Sequence, residues 1–154
     1  MPAVQKGHAR WRVRHRMQQR LSLVTMACDD VGGERAFYER LGWKCGFGTE
    51  DVAFFQMPGL VFGLYGRASL AADLGRQPSA LGLGRVMVSY NVEGRDDVAE
   101  VLDRAEAAGA SVVTPSEDTP WGGRSGTFAT PEGHLWEVAW NPAWRNVEGI
   151  TRMD

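Results

Sequence analysis

Glu137 is the single carboxylate in an otherwise apolar run, Leu135-Trp136-Glu137-Val138-Ala139-Trp140. Burying a carboxylate without a partner is costly, so an isolated acid in a strand is either solvent-facing or functional. A carboxylate set in an apolar hollow is a stronger base than one in water, which suits proton abstraction beside a carbonyl. Gln56, Tyr65, Tyr90 and Asn91 could orient a substrate or polarise an oxygen, and Arg124 could pair with an anionic group. Trp121, within Pro120-Trp121-Gly122-Gly123, could stack on a planar or cationic ligand from a loop whose glycines leave it free to move. Each of these residues also fits an ordinary surface role.

Other chemistries find less support. The three histidines are His8, His15 and His134, and only the last falls in the domain, where it reads as a turn residue near the surface. A site of two histidines and one carboxylate cannot be assembled there from His134 alone. Cys28 and Cys45 lack CxxC spacing and read as free core thiols of a reducing, cytoplasmic setting. No GxSxG occurs, and Gly32-Gly33 forms neither a phosphate loop nor a dinucleotide fingerprint.

Alternation supplies the elements that position Glu137. It puts Leu135, Glu137 and Ala139 on one face of a strand and Trp136, Val138 and Trp140 on the other. The bulkier face is the one to pack against helices, which leaves Glu137 facing a partly covered concavity. The same order of elements is written twice. In the first half a strand over 21–27 leads through Asp29-Asp30-Val31-Gly32-Gly33 into a helix over 34–41, closed by Gly42. Strands follow at 43–47, 52–57 and 60–65, the last two joined by Pro58-Gly59. The second half repeats this with a strand at 85–92, a helix at 96–108 stopped by Gly109, and strands at 111–114, 124–129 and 135–140. Residues 67–84, rich in Gly, Ala, Pro and Ser, form the linker, with a helical turn at 70–74. The expectation is an α+β domain over 20–142, with βαβββ modules at 20–66 and 85–142. Residues 1–19 form a basic extension and residues 143–154 a C-terminal tail. Neither four-stranded half can bury its sheet face alone, so the two are expected to share a core.

Of the 154 residues 44% are hydrophobic, enough for one domain with a proper core, and no apolar run approaches a membrane span. The net charge of −2 conceals an asymmetry: Lys6, Arg10, Arg12, Arg14, Arg16 and Arg20 meet no acid in the first 20 residues, while the rest carries 11 basic and 19 acidic groups. The extension shows no nucleic-acid recognition motif and reads as unstructured, or as preceding a natural start at Met17. The acidic domain would attract cations.

"AFYERLGW" (Ala36 to Trp43), "AEAAGA" (Ala105 to Ala110) and "TPEGHLWEVAWNP" (Thr130 to Pro142), in this order over about 20–142, resemble the vicinal-oxygen-chelate superfamily, which comprises glyoxalase I, bleomycin-resistance proteins and extradiol dioxygenases. The resemblance implies two βαβββ modules whose curved sheets form a cup, usually in a homodimer. Metal-bearing members draw His and Glu ligands from several cup strands. Here those positions fall on Leu23, on Val86 or Met87, and in the acid-free stretch Leu60 to Tyr65, so Glu137 alone matches. The resemblance therefore implies no metal or other cofactor and a cup that binds or sequesters a small molecule, aromatic or cationic. The alternatives are a metal-independent lyase or isomerase with Glu137 as base, a metal-dependent glyoxalase or dioxygenase, and an interaction module with a filled cup.

Overall fold

The computed structural model describes residues 17–153, so the basic extension, through residue 16, lies outside it. The described chain folds as α+β with two four-stranded sheets. The first contains β1 (Leu23–Cys28), β2 (Cys45–Gly48), β3 (Val52–Met57) and β4 (Leu60–Gly66), in the order β1-β4-β3-β2. The second contains β5 (Val88–Asn91), β6 (Ser111–Asp118), β7 (Arg124–Ala129) and β8 (Leu135–Trp140), in the order β5-β8-β7-β6. In each sheet the first strand pairs parallel with the last and the remaining pairs are antiparallel. The identical order is the structural form of the duplication.

Helices α1 (Val31–Arg40) and α3 (Asp97–Ala108) cross between the first and second strands of each module. Asp30 starts α1, its side chain accepting from the Gly33 amide at 2.9 Å. Gly109, at φ +116°, ends α3 in the left-handed conformation that glycine adopts without strain. Val98, Leu102, Ala105 and Ala108 form the buried stripe of α3. Leu102 comes so near β7 that a Cβ at Gly126 would stand 2.6 Å from its Cδ1 and 3.0 Å from the Pro115 backbone, so a side chain there would force Leu102 aside and crowd β6.

Both modules share one core on the helix side of their sheets. Tyr38 and Trp43, at and just beyond the end of α1, touch Phe55 and Phe62 of the first sheet and Trp136 of the second, with ring centroids 4.7–6.2 Å apart among the contacts of Tyr38. Phe37 meets Phe128 at 6.3 Å. The two helix-facing surfaces therefore cover each other within one chain. Their opposite faces, carrying Thr25, Phe54 and Gln56 on one sheet and Ser89, Thr127 and Glu137 on the other, are half-buried or exposed. We call these the open faces.

Several elements differ from expectation. The second module's first strand pairs only over Val88–Asn91, while β6 runs on to Asp118 through two register shifts. The helical turn in the linker is α2 (Arg67–Asp73). Residues of the C-terminal tail form a hairpin, β9 (Arg145–Val147) and β10 (Ile150–Arg152), turning at Glu148 and Gly149, both at positive φ. Asn146 fixes it by donating to the Val92 carbonyl at 3.0 Å. Strands of three residues are too short to show alternation.

Candidate functional site

The open face of the second sheet is organised across strands. Register places Ser89, Glu137, Thr127 and Thr114 side by side on β5, β8, β7 and β6, a polar row crossing the whole sheet. Ser89 Oγ donates to Glu137 Oε2 at 2.9 Å, and the hydroxyls of Thr114 and Thr127 are 2.8 Å apart. Among the described residues Ser89 is the only hydrogen-bond donor to Glu137, which leaves the other carboxylate oxygen available. Asn91 follows Ser89 by two residues on the same face.

The matching row of the first sheet is Thr25, Gly63, Phe54 and Phe47. Superposing Pro58-Gly59 on Pro131-Glu132-Gly133 puts Gly63 at the place of Glu137. A Cβ at Gly63 would lie 3.0 Å from the Phe54 ring and 3.4 Å from Leu23, so this position is roofed by apolar side chains. Phe47 stacks on Phe54 at 6.1 Å and is itself exposed. The duplication has thus diverged into a carboxylate-bearing face and an aromatic one.

The other sequence-derived candidates are dispersed. Tyr65 and Gln56 lie on the open face of the first sheet. Tyr65 donates to Asp73 Oδ2 at 2.6 Å, while Gln56 donates to the Met57 and Leu60 carbonyls. Tyr90 shares a face with Val138, and Arg124 with Trp140, so both stand on the opposite side of the second sheet from Glu137. Arg124 is engaged there by Ser116 and Asp118. Trp121, half exposed, lies over Gly123 in the β6–β7 loop, near the end of β8. Three residues of strand separate that end from Glu137, or about 10 Å.

His134 is not at the surface. It is 6% exposed, because the β7–β8 turn folds back onto the β1–α1 connection. Its Nδ1 is 3.2 Å from Oε1 of the buried Glu34, and its Nε2 is 2.9 Å from the Ala27 carbonyl. A carbonyl accepts only, so Nε2 carries a proton, and a second proton on Nδ1 lets the ring donate to Glu34 as an imidazolium. Burial alone would pull its pKa down, but the Glu34 hydrogen bond and charge and the Ala27 carbonyl outweigh it and hold His134 above its ordinary range. Glu34 Oε2 also accepts from the Glu132 amide at 3.0 Å, and the Glu132 carboxylate accepts from the Asp29 and Asp30 amides at 3.0 and 2.6 Å. Glu34, Glu132 and His134 thus tie the two modules together. The sequence reading missed this because Glu34 and His134 are 100 residues apart. The one available signal was the acid at the first residue of the expected first helix, Glu34.

Cys28 belongs to the core: burial, reinforced by nearby Glu34 and Glu132, pushes its thiol up to about 12, far from a reactive thiolate. Among the described residues no group of three or more His, Cys, Asp or Glu side chains is placed to hold a metal ion. Among the described residues the open faces offer the carboxylates of Glu137 and Glu117 on separate strands, hydroxyls, amides and aromatic rings but no histidine, a donor set that does not fit a catalytic metal. None of the described helices is long and apolar enough to cross a membrane.

Residues 20–138 match the Glyoxalase/Bleomycin resistance protein/Dioxygenase superfamily, and the chain belongs to it. It is similar to a glyoxalase-related enzyme from Fulvimarina pelagi, with 31% identity and a TM-score of 0.82, over 88% of this chain and 98% of that one. A lactoylglutathione lyase from Agrobacterium tumefaciens, at 18% identity and a TM-score of 0.65 over 82% and 96% of the two chains, shares the fold. An uncharacterized protein of Mycobacterium bovis is 43% identical over 61 residues, 40% of this chain and 38% of that one. The chain therefore matches little more than a third of that relative's length.

Proposed function

We propose that the protein binds a small planar aromatic cation, without a catalytic metal, in a cup whose two walls are the open faces of two copies of the chain. The polar row centred on Glu137 carries this reading: it presents an unshared carboxylate oxygen on a half-covered surface. The aromatic row of the first sheet, Phe54 and Phe47, supplies the complementary wall, since rings stack on planar cations. Within one chain the modules pack through their helix sides, so the two rows meet only if a second chain places its first sheet beside this second one. β1 and β5 are the edge strands that would adjoin, and Leu23 at the start of β1, Leu21 just before it, and Val86 and Met87 just before β5 are all exposed. Uncovered apolar edge strands are suited to such pairing.

The test uses proflavine, a planar aromatic cation, titrated against the chelator-treated protein and followed by fluorescence. Binding saturates, and Glu137→Gln weakens it about tenfold, as loss of a charged partner implies. Trp121→Ala weakens it less. Unchanged affinity in Glu137→Gln would remove the polar row from the site.

A second reading makes Glu137 the base of a metal-independent lyase or isomerase, favoured by that same free oxygen. It predicts deuterium uptake beside the carbonyl of a small ketone, abolished in Glu137→Gln. Uptake equal in both proteins would dismiss it.

A further inference from the structure

A second hollow lies on the other side of the second sheet, between α3 and the end of α1. It has a volume of about 130 Å³, and its walls are Tyr38, Trp43, Tyr90, Val101, Phe128 and Trp136. Apolar cavities of roughly 150 Å³ accommodate one benzene ring. Here the walls are rings: Phe128 and Trp136 stack at 6.3 Å with planes 4° apart, and Trp43 meets Trp136 edge-on at 5.7 Å. A flat guest fits such walls better than a puckered one.

Beside the exposed Tyr90 and Arg104 at the rim, one buried residue among them carries a hydroxyl. Tyr38 is fully buried, and its hydroxyl oxygen accepts from Trp136 Nε1 at 3.0 Å. Among the described residues no acceptor receives the proton of that hydroxyl, and a buried donor left without an acceptor calls for an explanation. The surroundings also limit the charge of a guest. The slot shares Tyr90, Val101 and Arg104 with an adjoining polar hollow of about 400 Å³ that contains Glu93, Asp97 and Glu100. Arg104 is held by Glu100 across one helical turn. An anion would meet these acids, and a cation would meet Arg104.

We propose that this slot is a second binding site, distinct from the open faces, for a neutral single-ring arene bearing an acceptor oxygen, which takes the Tyr38 hydroxyl proton as a hydrogen bond. Aryl ketones, aldehydes and phenols have this chemistry. The arene displaces nothing charged, and its oxygen completes the bonding of Tyr38.

Acetophenone, ethylbenzene and cyclohexyl methyl ketone, titrated against the full chain by ligand-observed NMR, separate the contributions. Acetophenone binds roughly fivefold to tenfold more tightly than ethylbenzene, which lacks the acceptor. It also binds more tightly than cyclohexyl methyl ketone, which lacks the ring. Tyr38→Phe brings acetophenone to the level of ethylbenzene and leaves ethylbenzene unchanged. Because Tyr38 is a core residue, Val101→Phe, which fills the slot from its half-buried rim, gives an independent test and abolishes binding of both arenes while near-UV circular dichroism stays native. Equal affinity for acetophenone and ethylbenzene, binding that survives Val101→Phe, or displacement of acetophenone by proflavine would overturn the proposal.

Discussion

Replacing His134 by alanine is expected to destabilise the protein by about 3–5 kcal/mol, the cost of leaving a buried charge without its partner. Glu34 would lose the imidazolium while remaining enclosed by α1 and the β7–β8 turn, and the Ala27 carbonyl would lose its donor. Glu34→Gln should cost less, since the amide can still accept from the Glu132 amide and no isolated charge remains. Chemical denaturation of the three proteins measures this directly. Equal stability of His134→Ala and the parent would show that the pair holds nothing together.

The same pair sets a pH dependence. The folded state raises the pKa of His134, so its contribution is fully present below the unfolded value of about 6.5 and is lost as pH rises through the higher folded value. Stability from this source therefore declines on the alkaline side of about pH 6.5. The parent should show that decline in denaturation midpoints between pH 6 and 9, and His134→Ala should not. Parallel curves would assign the titration to other groups.

The second large effect concerns association. If the cup is completed by a second chain along β1 and β5, the combined change Leu23→Arg and Met87→Arg places charges where apolar side chains meet. Two interface anchors worth about 2 kcal/mol each imply a dissociation constant raised roughly a thousandfold. Sedimentation should then find a dimer for the parent and a monomer for the variant, with near-native melting because both residues are exposed in the single chain. Proflavine binding should fall with the dimer. A parent that remains monomeric at high concentration would separate the two open faces and leave the aromatic wall without a role.

Residues with strong local signals were legible from the sequence. Val52–Met57, Arg124–Ala129 and Leu135–Trp140 coincide with the expected strands because alternation and the Pro-Gly turns mark both ends. The side of β8 that faces the helices followed from the size of Trp136 and Val138. What surrounds Glu137 did not follow, because Leu135 and Ala139 are its neighbours along the strand, whereas Ser89 and Thr127 are its neighbours across it. Cross-strand register decides that environment, and alternation within one strand carries no register. Tyr90 and Asn91 illustrate the same limit: adjacent in sequence, they necessarily point to opposite faces, and only one can join Glu137. His134 was misplaced for a related reason, since its partners come from the other module.

In the proposed cup Glu137 works within a metal-free set of hydroxyl and aromatic groups. The most direct test of this is the metal content of the purified chain after incubation with nickel, zinc, manganese or iron and desalting. A metal-free cup retains far less than one ion per chain for every metal, with proflavine affinity unaffected by the treatment. Retention of close to one ion per chain, lost in Glu137→Gln, would contradict it and make Glu137 a ligand.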